Sequence, residues 1–182
     1  MTAIVDRSRF LSYAGALCGV ALLADGRRVF AGEPAPARQL RFVHTHTGET
    51  LTAAYFDGNA YDPAVLGAVD HLLRDFRTGD VHPIDPALLD LLHALQSRAD
   101  YDAPFEIISG YRSPATNAML HRNSSGVAEH SQHLIGKAID VRLSRFSTRA
   151  LSEHARALGA GGVGFYAKSD FVHVDTGPVR SW

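Results

Sequence analysis

The chain has 182 residues, 46% hydrophobic and 20% charged, with a formal net charge of -1. That suits one globular domain with a true core, and the balanced charge, with no basic run, argues against a nucleic-acid partner. The single cysteine, Cys18, excludes an intrachain disulfide, although a domain of this size can persist in an oxidising compartment without one.

Residues 1–31 read as an export signal. Arg7 and Arg9 precede an uncharged, mostly apolar stretch from Phe10 to Ala24, which is short for a membrane-spanning helix. Val29-Phe30-Ala31 carries small residues where a signal peptidase reads, so cleavage is expected after Ala31, with Ala35-Pro36-Ala37 as a second option. Asp25, Arg27 and Arg28 charge the end of the segment and leave an uncleaved anchor open. Arg7-Ser8-Arg9-Phe10-Leu11 is similar to a twin-arginine signal, with Ser8 interrupting the pair. The alternative is a buried N-terminal helix. The expectation is a periplasmic protein whose only membrane contact is through this segment.

Residues 32–39 form a Pro-rich linker, and the folded domain is expected over residues 40–182. Leu40 to His44 and Glu49 to Phe56 read as two strands joined at Thr47-Gly48. His44 and His46 share a strand face there and read as surface or edge-strand histidines. Asp62-Pro63 and Asp85-Pro86 are helix starts, with Asp at the cap and Pro in the first turn. Val65, Leu66, Val69, Leu72, Leu73 and Phe76 follow helical spacing after the first, and Leu88 to Leu95 is apolar over a wide arc after the second. Phe105 to Ser109 reads as a strand, Thr116 to Arg122 as a helix, and Ala138 to Leu143 as an alternating strand. Thr148 to Leu158 is a helix ending at Gly159. Gly161 to Tyr166 is a Gly-rich turn into a strand, and Phe171 to Asp175 is the last strand. This order predicts an α+β domain with helices packed on a small antiparallel sheet.

Side chains alternate along Ala138 to Leu143, so Ile139, Val141 and Leu143 take the core face and Asp140 the opposite one. In Phe171-Val172-His173-Val174-Asp175 the valines take the core side and His173 the other. If the two strands are neighbours, Asp140 and His173 face each other, and the Gly136-Lys137 turn can fold His133 back over them. Two imidazoles and a carboxylate make a three-ligand zinc site with one position left for water. The same residues also fit a salt-bridged Asp–His pair with His133 on an unrelated loop.

Ser131-x-His133-x-x-Gly136-x-Ala138-x-Asp140, with Val172-His173-Val174-Asp175, resembles the zinc motif of the D-alanyl-D-alanine carboxypeptidase and lysostaphin-type metallopeptidases, and most closely their DUF882 group. The match also takes in His46-Thr47-Gly48-Glu49, Ser109-Gly110-Tyr111-Arg112-Ser113 and Ala160 to Gly164, and covers roughly residues 40–182. The resemblance implies the Hedgehog/DD-peptidase-like fold, and Zn2+ held by His133, Asp140 and His173. It implies peptidoglycan stem peptides as substrate and murein endopeptidase activity, with no nucleic-acid partner and a monomeric state. Stem trimming by a D,D- or L,D-carboxypeptidase and a non-catalytic wall-binding module are the competing readings. Arg112 would bind a substrate carboxylate or the developing oxyanion. Relatives place the general base either three residues before the last zinc histidine, here Asp170, or at a histidine two before it, where this chain has Phe171. Asp170 is therefore the expected base, with His130 and Glu129 behind it, and Asp175 is the expected partner that orients an imidazole.

Overall fold

The computed structural model describes residues 35–123 and 128–182. The export signal expected over residues 1–31 lies outside the described residues. Among the described residues no helix is long and apolar enough to cross a membrane.

The elements run β1 (Arg38–His44), β2 (Thr50–Phe56), α1 (Pro63–Leu72), α2 (Pro86–Ala99), β3 (Phe105–Ser109), α3 (Pro114–Asn123), a 3-10 turn (Gln132–Ile135), β4 (Ala138–Leu143), α4 (Thr148–Leu158), β5 (Gly162–Tyr166), β6 (Phe171–Asp175) and β7 (Arg180–Ser181). The starts of α1 and α2 follow from local chemistry. The Asp62 carboxylate accepts from the N–H groups of Ala64 and Val65, and the Asp85 carboxylate accepts from that of Ala87. In α2, Leu88, Leu89, Leu91, Leu92 and Leu95 are all buried, and together they contribute about 10 kcal/mol of transfer free energy. They pack with Leu40 and Phe42 of β1, Phe105 and Ile107 of β3, Ile139, Val141 and Leu143 of β4, and Leu151 and Ala155 of α4.

The sheet has seven strands in the order β2-β1-β3-β4-β6-β5-β7. It is mixed, which corrects the expectation of a small antiparallel sheet: β1 and β3 run parallel, as do β5 and β7. The physical reason lies in the connection. The chain leaves the β1–β2 hairpin through α1 and α2 before returning at β3, and a crossover of that length permits parallel pairing. A second departure is α1, which stops at Leu72 although the apolar spacing runs on to Phe76. Beyond it the buried Asp75 carboxylate accepts from the backbone N–H of Arg77 at 3.0 Å and of Ser113 at 2.9 Å. These bonds hold the chain in a loop, and Phe76 stacks instead against His46, with ring centroids 4.1 Å apart.

His44 is also placed differently from the sequence reading. It is fully buried, and its Nδ1 accepts from the N–H groups of His46 and Thr47, so it closes the hairpin turn from inside. Burial first, then neighbouring His46, pushes its pKa down, which keeps it a neutral acceptor.

Candidate metal centre

Strand pairing brings the key residues together. β4 and β6 are antiparallel, with Asp140 opposite His173. On the other side of β4, the β3 register shifts between Ile107 and Ser109, so that Ile107 opposes Val141 while Ser109 opposes Asp140. A bulge of this kind re-aims one side chain. Without it, Ser109 would share the core face of Ile107; with it, Ser109 lines the cleft above Asp140.

His133 arrives from the 3-10 turn. The Ser131 hydroxyl caps that turn and Gly136 closes it in the left-handed region, at φ 67°. Glycine is required there, because an added Cβ would lie 2.1 Å from the carbonyl oxygen of Pro83.

His133 Nε2 lies 3.2 Å from His173 Nδ1 and 3.3 Å from Asp140 Oδ1, and His173 Nδ1 lies 2.9 Å from the same oxygen. All three residues are buried. The opposite edge of each ring is fixed. His133 Nδ1 donates to the carbonyl of Gly110 at 2.7 Å, and His173 Nε2 donates to Asp175 Oδ2 at 2.9 Å. Each imidazole is thereby left with a lone pair directed at the common centre. Ligands on a tetrahedral ion with bonds of about 2.0–2.1 Å sit roughly 3.3 Å apart. The observed separations and the two-imidazole, one-carboxylate donor set fit zinc.

The electrostatics follow from burial and neighbours. Burial, which would raise the Asp140 pKa, is outweighed by His133, His173 and Arg112, so Asp140 stays ionised well below the usual carboxylate range. Burial lowers the pKa of His133, with Arg112 adding to the effect and Asp140 opposing it. Burial also opposes a charge on His173, but hydrogen bonds to Asp140 and Asp175 outweigh it and raise that pKa. Two imidazoles of contrasting basicity thus share one carboxylate.

Arg112 lies against Asp140, with Nη2 on Oδ2 and Nε donating to Ser109 Oγ at 3.0 Å. It lines the cleft, so the structure brings it to the centre as the sequence reading expects. Asp175 also stands where expected. It is fully buried, accepts from the Gly177 and Gly162 N–H groups at 2.8 and 3.1 Å, and pairs with Arg180 at 2.7 and 3.1 Å. The Arg180 contact was missed in the sequence, as were the cleft-lining Tyr166 and Trp182. The Trp182 ring lies 5.2 Å from that of His173 and its Nε1 donates to Tyr166. The only sequence signal was an aromatic and a basic residue in a tail otherwise without pattern.

Asp170 is not brought to this centre, and the expectation that it acts there as the base is corrected. It sits in the turn before β6 at φ 51°. Its carboxylate accepts from Thr148 Oγ1 at 2.6 Å and faces Arg142 at 3.6 Å. The cause is local: Asp170 lies outside β6, as a left-handed turn residue, and Thr148 at the start of α4 and Arg142 of β4 hold its carboxylate there. Of the lesser candidates, Glu129 lines a separate, smaller cavity, whereas His130 lines the cleft that holds the three ligands. That cleft has a volume of about 670 Å³.

Comparison with known proteins identifies the family. The profile of the family described as peptidoglycan L,D-endopeptidase MepK matches residues 33–182. The chain is 40% identical over 178 residues to the probable peptidoglycan L,D-endopeptidase MepK of Haemophilus influenzae, covering 97% of this chain and 95% of that one. It is 38% identical over 177 residues to the peptidoglycan L,D-endopeptidases MepK of Escherichia coli and Shigella flexneri, covering 97% of each chain. The chain belongs to the peptidoglycan L,D-endopeptidase MepK family.

Proposed function

We propose that the protein is an exported, zinc-dependent murein endopeptidase that cuts peptide cross-links, with the L,D bond class carried over from its relatives' names. The observation that carries this is the convergence of His133, Asp140 and His173 within a cleft walled on both sides of them. The lining follows the strand order: His46 beyond β1, Ser109 at the end of β3, Asp140 in β4, His173 in β6, Tyr166 at the end of β5 and Trp182 beyond β7. A peptide can therefore lie across the strands with the three ligands near its middle, which favours internal cleavage over trimming from an end. Intact ligands likewise favour an enzyme over a binding module. The family's D-Ala-D-Ala metallopeptidase fold, the periplasmic location and a monomeric state belong to the same proposal.

His133, Asp140 and His173 would hold the zinc ion. When bound, it supplies Lewis-acid polarisation of a carbonyl and a water acidified toward neutral pH. Asp175 holds His173 in its ligating orientation. Arg112 secures Asp140 and presents its positive charge at the cleft wall, where a substrate carboxylate or a developing oxyanion can be met. His130 is the residue proposed to transfer protons, since a base must be able to reach the reacting group.

Defined cross-linked muropeptides, digested with and without a chelator and read by mass, test the reading. Cleavage at the cross-link that stops with chelator and returns with zinc is expected. Release of a terminal residue alone, or chelator-resistant cleavage, would contradict it.

A further inference from the structure

Three arginines line the cleft, and their partners differ. Arg112 is taken up by Asp140 and Arg180 by Asp175. Arg77 makes no side-chain hydrogen bond or ion pair among the described residues; its guanidinium lies 4.2 Å from the centroid of the Phe76 ring. Its backbone is fixed nonetheless. The Arg77 N–H donates to the buried carboxylate of Asp75, whose other oxygen holds Ser113, the neighbour of Arg112. The carrier ring is fixed too, because Phe76 stacks on His46. An exposed cation is thus presented to the cleft from an anchored loop, with its planar group resting on an aromatic surface.

We propose that Arg77 is a carboxylate-binding subsite that reads an acidic group of the substrate peptide on the β1 side of the cleft. The inference rests on the peptidase reading above and goes beyond it by assigning a recognition residue. Its distance from the chemistry follows from the sheet. His46 and Phe76 stand at the β1 side, two strand steps from β4, which is about 10 Å at about 4.8 Å per step. An extended peptide advances about 3.3 Å per residue, so the carboxylate read by Arg77 lies roughly three residues from the scissile bond. Stem peptides carry free carboxylates, and a planar guanidinium with no internal partner binds them in bidentate fashion.

The test uses full-length, zinc-loaded protein and two substrates, a cross-linked muropeptide dimer and the same dimer with its carboxylates amidated. Arg77→Gln keeps the side-chain stem over Phe76 and removes the charge. On the free-acid dimer it should raise KM about tenfold with kcat changed less than about twofold, as loss of one charge-assisted contact implies. On the amidated dimer the variant and wild type should share one KM, and this comparison separates Arg77 from any carboxylate met by Arg112. Arg77→Glu should raise KM further on the free acid only. Equal KM for wild type and Arg77→Gln on the free-acid dimer would overturn the subsite while leaving the peptidase standing. So would a rise of the same size on both dimers. A wild type that cleaves neither dimer would overturn both readings.

Discussion

Asp175→Asn probes how the metal centre is held. The carboxylate is fully buried and its two oxygens serve four donors: His173 Nε2 at 2.9 Å, the N–H groups of Gly177 and Gly162, and the Arg180 guanidinium. Asparagine has the same shape but only one acceptor oxygen. If that oxygen keeps the two backbone donors, the new NH2 group faces His173 Nε2–H and Arg180, and donor meets donor. The imidazole relieves this by moving its proton to Nδ1, the atom that faces His133 and Asp140, and so it loses its ligating lone pair. Loss of such a supporting partner weakens metal binding about 10–100-fold, or about 1.4–2.7 kcal/mol. Competition for zinc against a chromophoric chelator at neutral pH measures this directly, with near-ultraviolet circular dichroism confirming the fold. A zinc affinity equal to wild type in a folded variant would refute the claim that Asp175 sets the His173 tautomer.

Other expectations follow from the same geometry. Asp170→Asn should leave turnover on cross-linked muropeptide close to wild type, whereas His130→Ala should lower it by roughly 10²–10⁴ with zinc retained, as loss of a general base does; the reverse result would restore Asp170. Zinc binding requires both imidazoles neutral, so acid should strip the metal. Because the His173 pKa is raised, its proton stabilises the metal-free fold below about pH 6.5, the unfolded value, and that contribution fades as pH rises through the folded pKa. His133, with a lowered pKa, acts in the opposite sense, its contribution being lost as pH falls. The rise in melting temperature on adding zinc should therefore be small at pH 5 and grow toward pH 8, and a pH-independent rise would count against imidazole ligation. Gly136→Ala should destabilise the fold by about 1–3 kcal/mol in urea unfolding, since a left-handed φ and the Pro83 carbonyl both oppose a side chain there.

The central site was legible because strand alternation is a local signal. Ile139, Val141 and Leu143 declare the core face of β4, which forces Asp140 to the other side, and the valines of β6 do the same for His173. The caps at Asp62 and Asp85 are likewise written within a few residues. What could not be read depends on distant partners. The parallel pairing of β1 with β3 requires knowing how the intervening helices pack. The shift beside Ile108 that turns Ser109 toward Asp140 has no composition of its own. His44 looked like a surface residue because the N–H groups that donate to its Nδ1 come from the turn that follows it. Phe76 kept the helical spacing, yet Asp75 ends the regularity by bonding Ser113 from another part of the chain. Asp170 matched a family spacing, but spacing does not carry the left-handed turn in which it sits outside β6, where Thr148 and Arg142 hold its carboxylate. Arg180 and Trp182 join the site only through the pairing of β7 with β5.

Metal content measured on purified wild type and on His133→Ala, Asp140→Ala and His173→Ala tests the central claim most directly. The account predicts about one zinc per wild-type chain and a soluble, folded but zinc-free product from each substitution, since a three-ligand site does not hold its ion on two. Full zinc occupancy in all three variants would contradict the assignment of these residues as the metal centre.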